Sequence, residues 1–370
     1  MRNAPHIELP STISQSFPET ISDWISDNKR FLFLVFFLAT ISLIFYQQPH
    51  IAMWIGFAIA GYSAIADDSI QTIGTFLSSN KHRPWWILWF YIGGIMIAVL
   101  LWGWLQGDVA HGRLDSIPEP QSFRYLQLLA PIILLCMTRL AMPVSTTFLL
   151  LSTFSDSKTI GGMVQKSIIG YGVAFIAAIV LWSLVDAYMR RQRAAQPEQE
   201  EMVSASEKYW YVFQWVSTGA LWAVWLMQDA ANVVVFLPRD LSLMQISIVI
   251  AFLFVVLGII FRQGGGNIQE VVESKTDVRD VRAASIIDFI YAIILFFFKN
   301  ISKLPMSTTW VFLGLLAGRE FALAFGRAKA AKQSSEEGGY SKVMWVVSKD
   351  LMRATLGMVI SIALAVAINM

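Results

Sequence analysis

The chain has 370 residues, of which 56% are hydrophobic and only 15% charged, with a net charge of +2 and a mean hydropathy of +0.56. Soluble domains carry about 25% charged residues, so one soluble core is excluded, and the near-neutral balance gives no footing for nucleic acid. The single cysteine, Cys136, excludes an intramolecular disulfide and reads as a small buried apolar residue.

Residues 1–30 are polar and lack the basic start of a cleaved signal. Met1 is followed by Arg2 and the C-terminus is apolar, so no lipidation motif is visible. Apolar runs then recur near 31–47, 51–66, 85–105, 125–142, 167–186, 209–227, 241–261, 284–298, 306–326 and 350–369. A spanning helix needs roughly 20 mostly apolar residues. The runs are continuous rather than short and alternating, which sets a membrane barrel aside. The prediction is an all-α polytopic membrane protein with about 10–12 membrane segments. Trp85, Trp86, Trp89, Trp102 and Trp104 bracket one run as an aromatic belt would.

A mixed-charge stretch at 187–208 separates two apolar blocks, 31–186 and 209–370. Arg190, Arg191 and Arg193 follow a span directly, which places this connector in the cytoplasm. Two further polar stretches, 262–282 and 327–349, follow in the second block. The first opens with Gly264-Gly265-Gly266 and reads as an interfacial segment.

The two blocks repeat each other. Residues 143–147 read Pro-Val-Ser-Thr-Thr and residues 305–309 read Pro-Met-Ser-Thr-Thr, 162 apart. Upstream stand Asp67-Asp68-Ser69-Ile70-Gln71 and Gln228-Asp229-Ala230-Ala231-Asn232, with Asp68 and Asp229 161 apart. Two motifs recurring in one order at nearly the same spacing indicate duplication, a common plan in secondary transporters, often with the halves inverted.

Each Pro-x-Ser-Thr-Thr motif interrupts an apolar run and restarts it. Ser and Thr suit an N-cap and Pro suits the first turn of a helix. The pattern predicts a broken helix or re-entrant hairpin, tolerated at membrane depth only inside protein or beside a cavity. Free N–H groups at such a start favour an anion. The plainer role of capping and helix glue suits either copy alone. Duplication points to function: Ser145, Thr146, Thr147, Ser307, Thr308 and Thr309 are the candidate anion-binding residues.

An intramembrane carboxylate costs about 2.5–3.5 kcal/mol on insertion scales and is a functional candidate by default. Asp67 also suits a helix end at the interface. Carboxylates repel an anion unless a cation sits beside them, and hard cations take carboxylate and amide oxygens. Asp67, Asp68, Gln71, Gln228, Asp229 and Asn232 are the candidate cation-binding residues, with Na+ or H+ as the coupling ion. Two adjacent carboxylates such as Asp67 and Asp68 can share one proton. Asp288, Arg139, Lys299 and Lys303 are weaker candidates that suit helix ends. His6, His50, His82 and His111 have no metal-site spacing.

These motifs resemble the inorganic phosphate transporter (PiT) family of cation–phosphate symporters, across about 51–369. That family carries an Asn-Asp-x-x-Asn and a Pro-Val-Ser-Thr-Thr element in each inverted half. Gly74-Thr75 follows the first acidic element as it does there, and the stretch from Gly266 through Asp277 is similar to the family's Gly-led segment. The resemblance implies two inverted-topology repeats, with sodium on the Asp and Asn residues and phosphate on the Ser-Thr-Thr helix ends. It also implies a homodimer in a bacterial-type inner (plasma) membrane. Departures are confined mainly to the acidic motif, with Asp67 and Gln228 in place of the first Asn and Gln71 in place of a later one. Phe148 and Trp310 replace a His that commonly follows Thr-Thr.

The sequence thus supports import of inorganic phosphate coupled to a cation. A sulfate or other oxyanion permease, a passive channel and a transport-inactive sensor or assembly subunit are the alternatives. An enzyme is disfavoured, because no nucleophile–base pair, metal cluster or phosphate-cradling loop is found.

Overall fold

A computed structural model describes residues 28–140, 144–195, 200–265, 281–331 and 339–369, and these contain no strand. The α-helices are α1 Lys29–Phe45, α2 Pro49–Ser79, α3 Trp85–Leu105, α4 Tyr125–Arg139, α5 Ser157–Ala195, α6 Glu200–Val234, α7 Leu243–Arg262, α8 Val281–Ile301, α9 Thr308–Ala331 and α10 Gly339–Asn369. One π turn, Thr147–Leu151, and one 3-10 turn, Ser152–Phe154, make a short helix between α4 and α5. Among the described residues, seven helices are long and apolar enough to cross a membrane: α2, α3, α5, α7, α8, α9 and α10. This is the architecture of a polytopic membrane protein.

Several boundaries differ from the sequence expectation. The second apolar run ends near 66, yet α2 continues to Ser79, so Asp67 and Asp68 lie inside a helix and are 1% exposed. Asp67 therefore ends no helix. The polar connector 187–208 continues α5 and α6 as helical backbone on either side of 196–199. The interfacial segment expected at 262–282 lies mostly outside the described residues. The tryptophan belt divides. Trp85, Trp86 and Trp102 are exposed. Trp89 instead donates to the Phe254 carbonyl at 2.9 Å and Trp104 to the Leu241 carbonyl at 2.7 Å. Their indole N–H groups join α3 to α7 and to the turn before it. Cys136 is half-buried rather than buried.

The packing exchanges elements between the blocks. α9, from the second block, lies along α5, from the first. Gly314 and Gly318 face the α5 backbone so closely that a Cβ on either would fall on the carbonyl oxygen of Tyr171 or Phe175. Small residues one turn apart let helix backbones approach where lipid supplies no hydrophobic drive. Reciprocally, the short helix 147–154 of the first block packs on α10 of the second. The motif side chains follow suit. Met306 meets Gly170 on α5, and Val144 meets Gly357 on α10. α2 and α6, which carry the acidic motifs, pack on each other. Apolar side chains such as Phe36, Ile176, Phe297 and Val359 face outward.

Candidate functional site

Both Pro-x-Ser-Thr-Thr motifs form the same local cap. The Ser145 hydroxyl accepts from the Phe148 N–H at 3.2 Å, and the Ser307 hydroxyl accepts from the Trp310 N–H at 3.3 Å. Each serine thus satisfies one orphan donor at a helix start. Its own proton stays available to donate. Val144, Ser145, Thr146 and Thr147 are buried, as are Met306, Ser307, Thr308 and Thr309. Pro143 lies outside the described residues. The Ser307 N–H donates to the Ser167 hydroxyl of α5 at 2.9 Å, which fixes the second motif to the first block.

The acidic motifs meet the opposite copies. Thr147 of the first block donates to Asp229 of the second at 3.2 Å. Thr309 of the second block donates to Asp68 of the first at 3.3 Å. Asp229 also interacts with Thr308, and Asp68 with Thr146. Each carboxylate therefore touches one threonine from each motif. Asp68 and Asp229 also lie within electrostatic range of each other, so the two half-sites form one centre. Asn232 donates to Asp229 at 2.8 Å and to the Thr147 hydroxyl at 3.3 Å. Gln228 donates to the Leu295 carbonyl of α8 at 2.9 Å. Gln71 lies on α2, and its side chain is outside the described set.

Four buried oxygens of the acidic motifs lack a hydrogen-bond partner: Asp67 Oδ2, Gln228 Oε1, Asp229 Oδ2 and Asn232 Oδ1. Buried polar atoms are normally paired, so orphan acceptors in both acidic motifs suit a hard cation, which takes carboxylate and amide oxygens. No group of three His, Cys, Asp or Glu residues fit for a metal occurs among the described residues. The donors here are mixed oxygens and suit a weakly held ion.

Of the weaker candidates, only Asp288 is buried, where it accepts from Thr75 at 3.0 Å and from Thr218. Thr75 and Thr218 belong to α2 and α6, so Asp288 on α8 ties together the helices that carry the acidic motifs. Arg139 bonds Asn28 at 3.0 Å and lies over the Phe31 ring. It anchors α1 and belongs to another part of the fold. Lys303 pairs with Asp115 at 2.6 Å on the surface.

Three residues near this centre carried no weight in the sequence. Tyr291 donates to the Thr308 carbonyl at 2.8 Å and so holds the second motif from α8. Arg113 and Lys166 both donate to the carbonyls of Ser302 and Leu304, immediately before Pro305. Arg113 is 1% exposed, and burial pulls its pKa down to about 10, opposed by Asp229, so it stays charged near neutrality. Lys166 stands just before the apolar run at 167–186, where a lysine reads as a helix-end charge. Arg113 sits in a polar loop with no distinguishing pattern.

Compared with known proteins, the chain matches no family model, no curated protein and no solved structure. Fold and site together define a helical membrane protein with one buried, duplicated hydroxyl–carboxylate centre.

Proposed function

We propose that the chain is a secondary active transporter that imports an inorganic oxyanion, phosphate ahead of sulfate, coupled to Na+ or H+. The observation that carries this reading is the crossed pairing of Thr147 with Asp229 and Thr309 with Asp68. Two capped helix starts supply N–H and hydroxyl donors for an anion. Two carboxylates beside them repel an anion until a cation neutralises them. Binding of either ion then favours the other, which is the thermodynamic content of symport. The orphan oxygens of Asp67, Gln228, Asp229 and Asn232 offer the cation its ligands. Ser145, Thr146, Thr147, Ser307, Thr308 and Thr309 serve the anion.

In this reading the two blocks are inverted repeats about an axis through the acid pair, and the exchange of α9 and the short helix is its packing signature. Rocking of one block against the other exposes the centre to each side in turn. The resemblance to the phosphate transporter family supports the same assignment, along with a bacterial-type inner membrane and a homodimer.

Proteoliposomes provide the test. Labelled phosphate uptake should need an inward Na+ or proton gradient, compete with sulfate, and fall in Thr147→Val and Thr309→Val. Full uptake in both variants removes the assignment of these hydroxyls. Absence of any oxyanion flux under either gradient favours a transport-inactive sensor or assembly subunit, and uncoupled flux favours a channel.

A further inference from the structure

The segment between α3 and α4 delivers a guanidinium to the second motif. Asp108 accepts from the N–H of Ala110 at 2.9 Å and from that of Gly112. His111 and Gly112 take positive φ values of 52° and 82°. This tight, carboxylate-tied turn aims Arg113 inward, where it becomes one of the largest fully buried side chains. Gly112 is needed here for its φ.

Arg113 Nη1 donates to the Ser302 carbonyl at 2.6 Å and to that of Leu304 at 3.2 Å. Lys166 Nζ donates to the same two carbonyls at 2.9 and 2.6 Å. Four cationic hydrogen bonds thus fall on two carbonyl oxygens, and each oxygen has two lone pairs. These acceptors are saturated. The other edge of the guanidinium, Nε and Nη2, is buried with no hydrogen-bond partner. Those atoms form the fork that holds a carboxylate or phosphate through two parallel bonds.

The charge balance leads to the same place. Arg113 and Lys166 lie in electrostatic range of each other, and Lys299 adds a third positive charge. The hydrogen-bond partners of Arg113 and Lys166 are carbonyls, and neither cation pairs with a carboxylate among the described residues. Asp229 is the acid felt by Arg113, at longer range. A buried, uncompensated charge pair is expensive, and holding the two carbonyls that follow α8 would need only one cation.

We propose that Arg113 and Lys166 form a second anion station, which holds a free tetrahedral oxyanion beside Pro305 before it passes to, or after it leaves, the threonine centre. The station rests on the symport reading for its purpose, while its ability to bind an anion stands on its own geometry. Arg113 supplies a bidentate edge and Lys166 a point charge. Arg113 holds a fixed positive charge where the threonine centre holds none, so the station binds without the coupling cation. A phospholipid headgroup shares the chemistry, but the burial of Arg113 excludes a bulky diester.

The test counts phosphate. Full-length protein in nonionic detergent is dialysed to equilibrium against labelled inorganic phosphate, with and without the coupling cation. Two phosphates per chain are expected with the cation and one without it. Arg113→Gln and Lys166→Met should each abolish the cation-independent phosphate. The Thr147→Val/Thr309→Val double variant should abolish only the cation-dependent one. Arg113→Lys keeps the charge and the carbonyl contact but lacks the fork. It should stay folded, lose the cation-independent phosphate, and raise the KM for uptake about tenfold with Vmax nearly unchanged.

Unchanged stoichiometry and KM in folded Arg113→Lys and Lys166→Met would overturn the station and leave the pair as a helix cap. Displacement of the Arg113-dependent phosphate by phosphatidylglycerol would overturn it in favour of a lipid. Arg113-dependent binding without any gradient-driven uptake would keep the station and remove the symport reading instead.

Discussion

The two Pro-x-Ser-Thr-Thr regions begin alike and end differently. Both cap a helix with their serine, and both send their last threonine to an acid of the opposite block. Beyond that, the second motif opens a regular 24-residue helix, α9. The first opens only the π and 3-10 turns of residues 147–154. The residues beyond each motif differ as well. α9 carries Gly314 and Gly318, which seat it along the α5 backbone. The first region carries Ser152, Thr153 and Ser155, whose hydroxyls donate back to the carbonyls of Phe148, Leu150 and Leu151. Such back-bonding competes with the helical ladder. Asp156 then caps α5, accepting from the Thr159 N–H at 2.8 Å. A motif therefore dictates its own cap, while the opposite block supplies its acid and the two helix starts run on to different lengths.

The largest effect is expected at the shared features. Asp229→Asn and Asp68→Asn should each lower gradient-driven uptake by at least about tenfold, because a charged partner of buried hydroxyls is worth about 1.5–3 kcal/mol. Equal losses would support one centre made from two half-sites. A loss confined to one acid breaks the equivalence.

A double-mutant cycle tests the crossing itself. Thr147→Val with Asp229→Asn should show a coupling of about 0.5–3 kcal/mol in cation binding. Thr147→Val with Asp68→Asn should be closer to additive. The second motif should reverse this pattern, with Thr309 coupled to Asp68. Additivity throughout would mean that the carboxylates and hydroxyls act separately.

The dissimilar ends are probed by stability. Gly314→Ala drives a Cβ into the Tyr171 carbonyl and should cost about 1–3 kcal/mol in thermal unfolding of the detergent-solubilised protein. Gly357→Ala meets the Val144 side chain at 3.3 Å and its backbone Cα at 3.6 Å, no closer, and should cost less. Equal penalties would deny that backbone contact distinguishes α9.

The smallest effect concerns the break after the first motif. Hydrogen bonds from Thr159, first through its side chain and then its backbone N–H, hold the Asp156 carboxyl below the usual carboxylate range. A depressed carboxyl stabilises the fold above its unfolded pKa, and that contribution fades as pH falls below about 4. The stability difference between the native chain and Asp156→Asn should shrink over that window. A difference independent of pH would remove the charge from the cap.

Much of the site was legible because its signals are local. Duplicated motifs, Ser caps and carboxylates inside apolar runs can be read residue by residue. Arg139 and Lys303 show the limit, since a charge near a motif in sequence can turn away from it in space. Arg113 and Tyr291 show the reverse. They reach the second motif from a distant loop and from the preceding helix, and nothing in their neighbours announces it.

By itself the sequence determined the helical membrane architecture, the duplication and the two helix starts, because hydropathy, spacing and capping chemistry act within a few turns of chain. Only the tertiary structure decided that each acid serves the other copy's threonine, that Asp67 and Asp68 lie mid-helix, and that two buried cations stand on the carbonyls before Pro305. Those are consequences of how helices exchange between blocks, which depends on close backbone approach at Gly314 and Gly318 and on contacts between residues far apart in the chain.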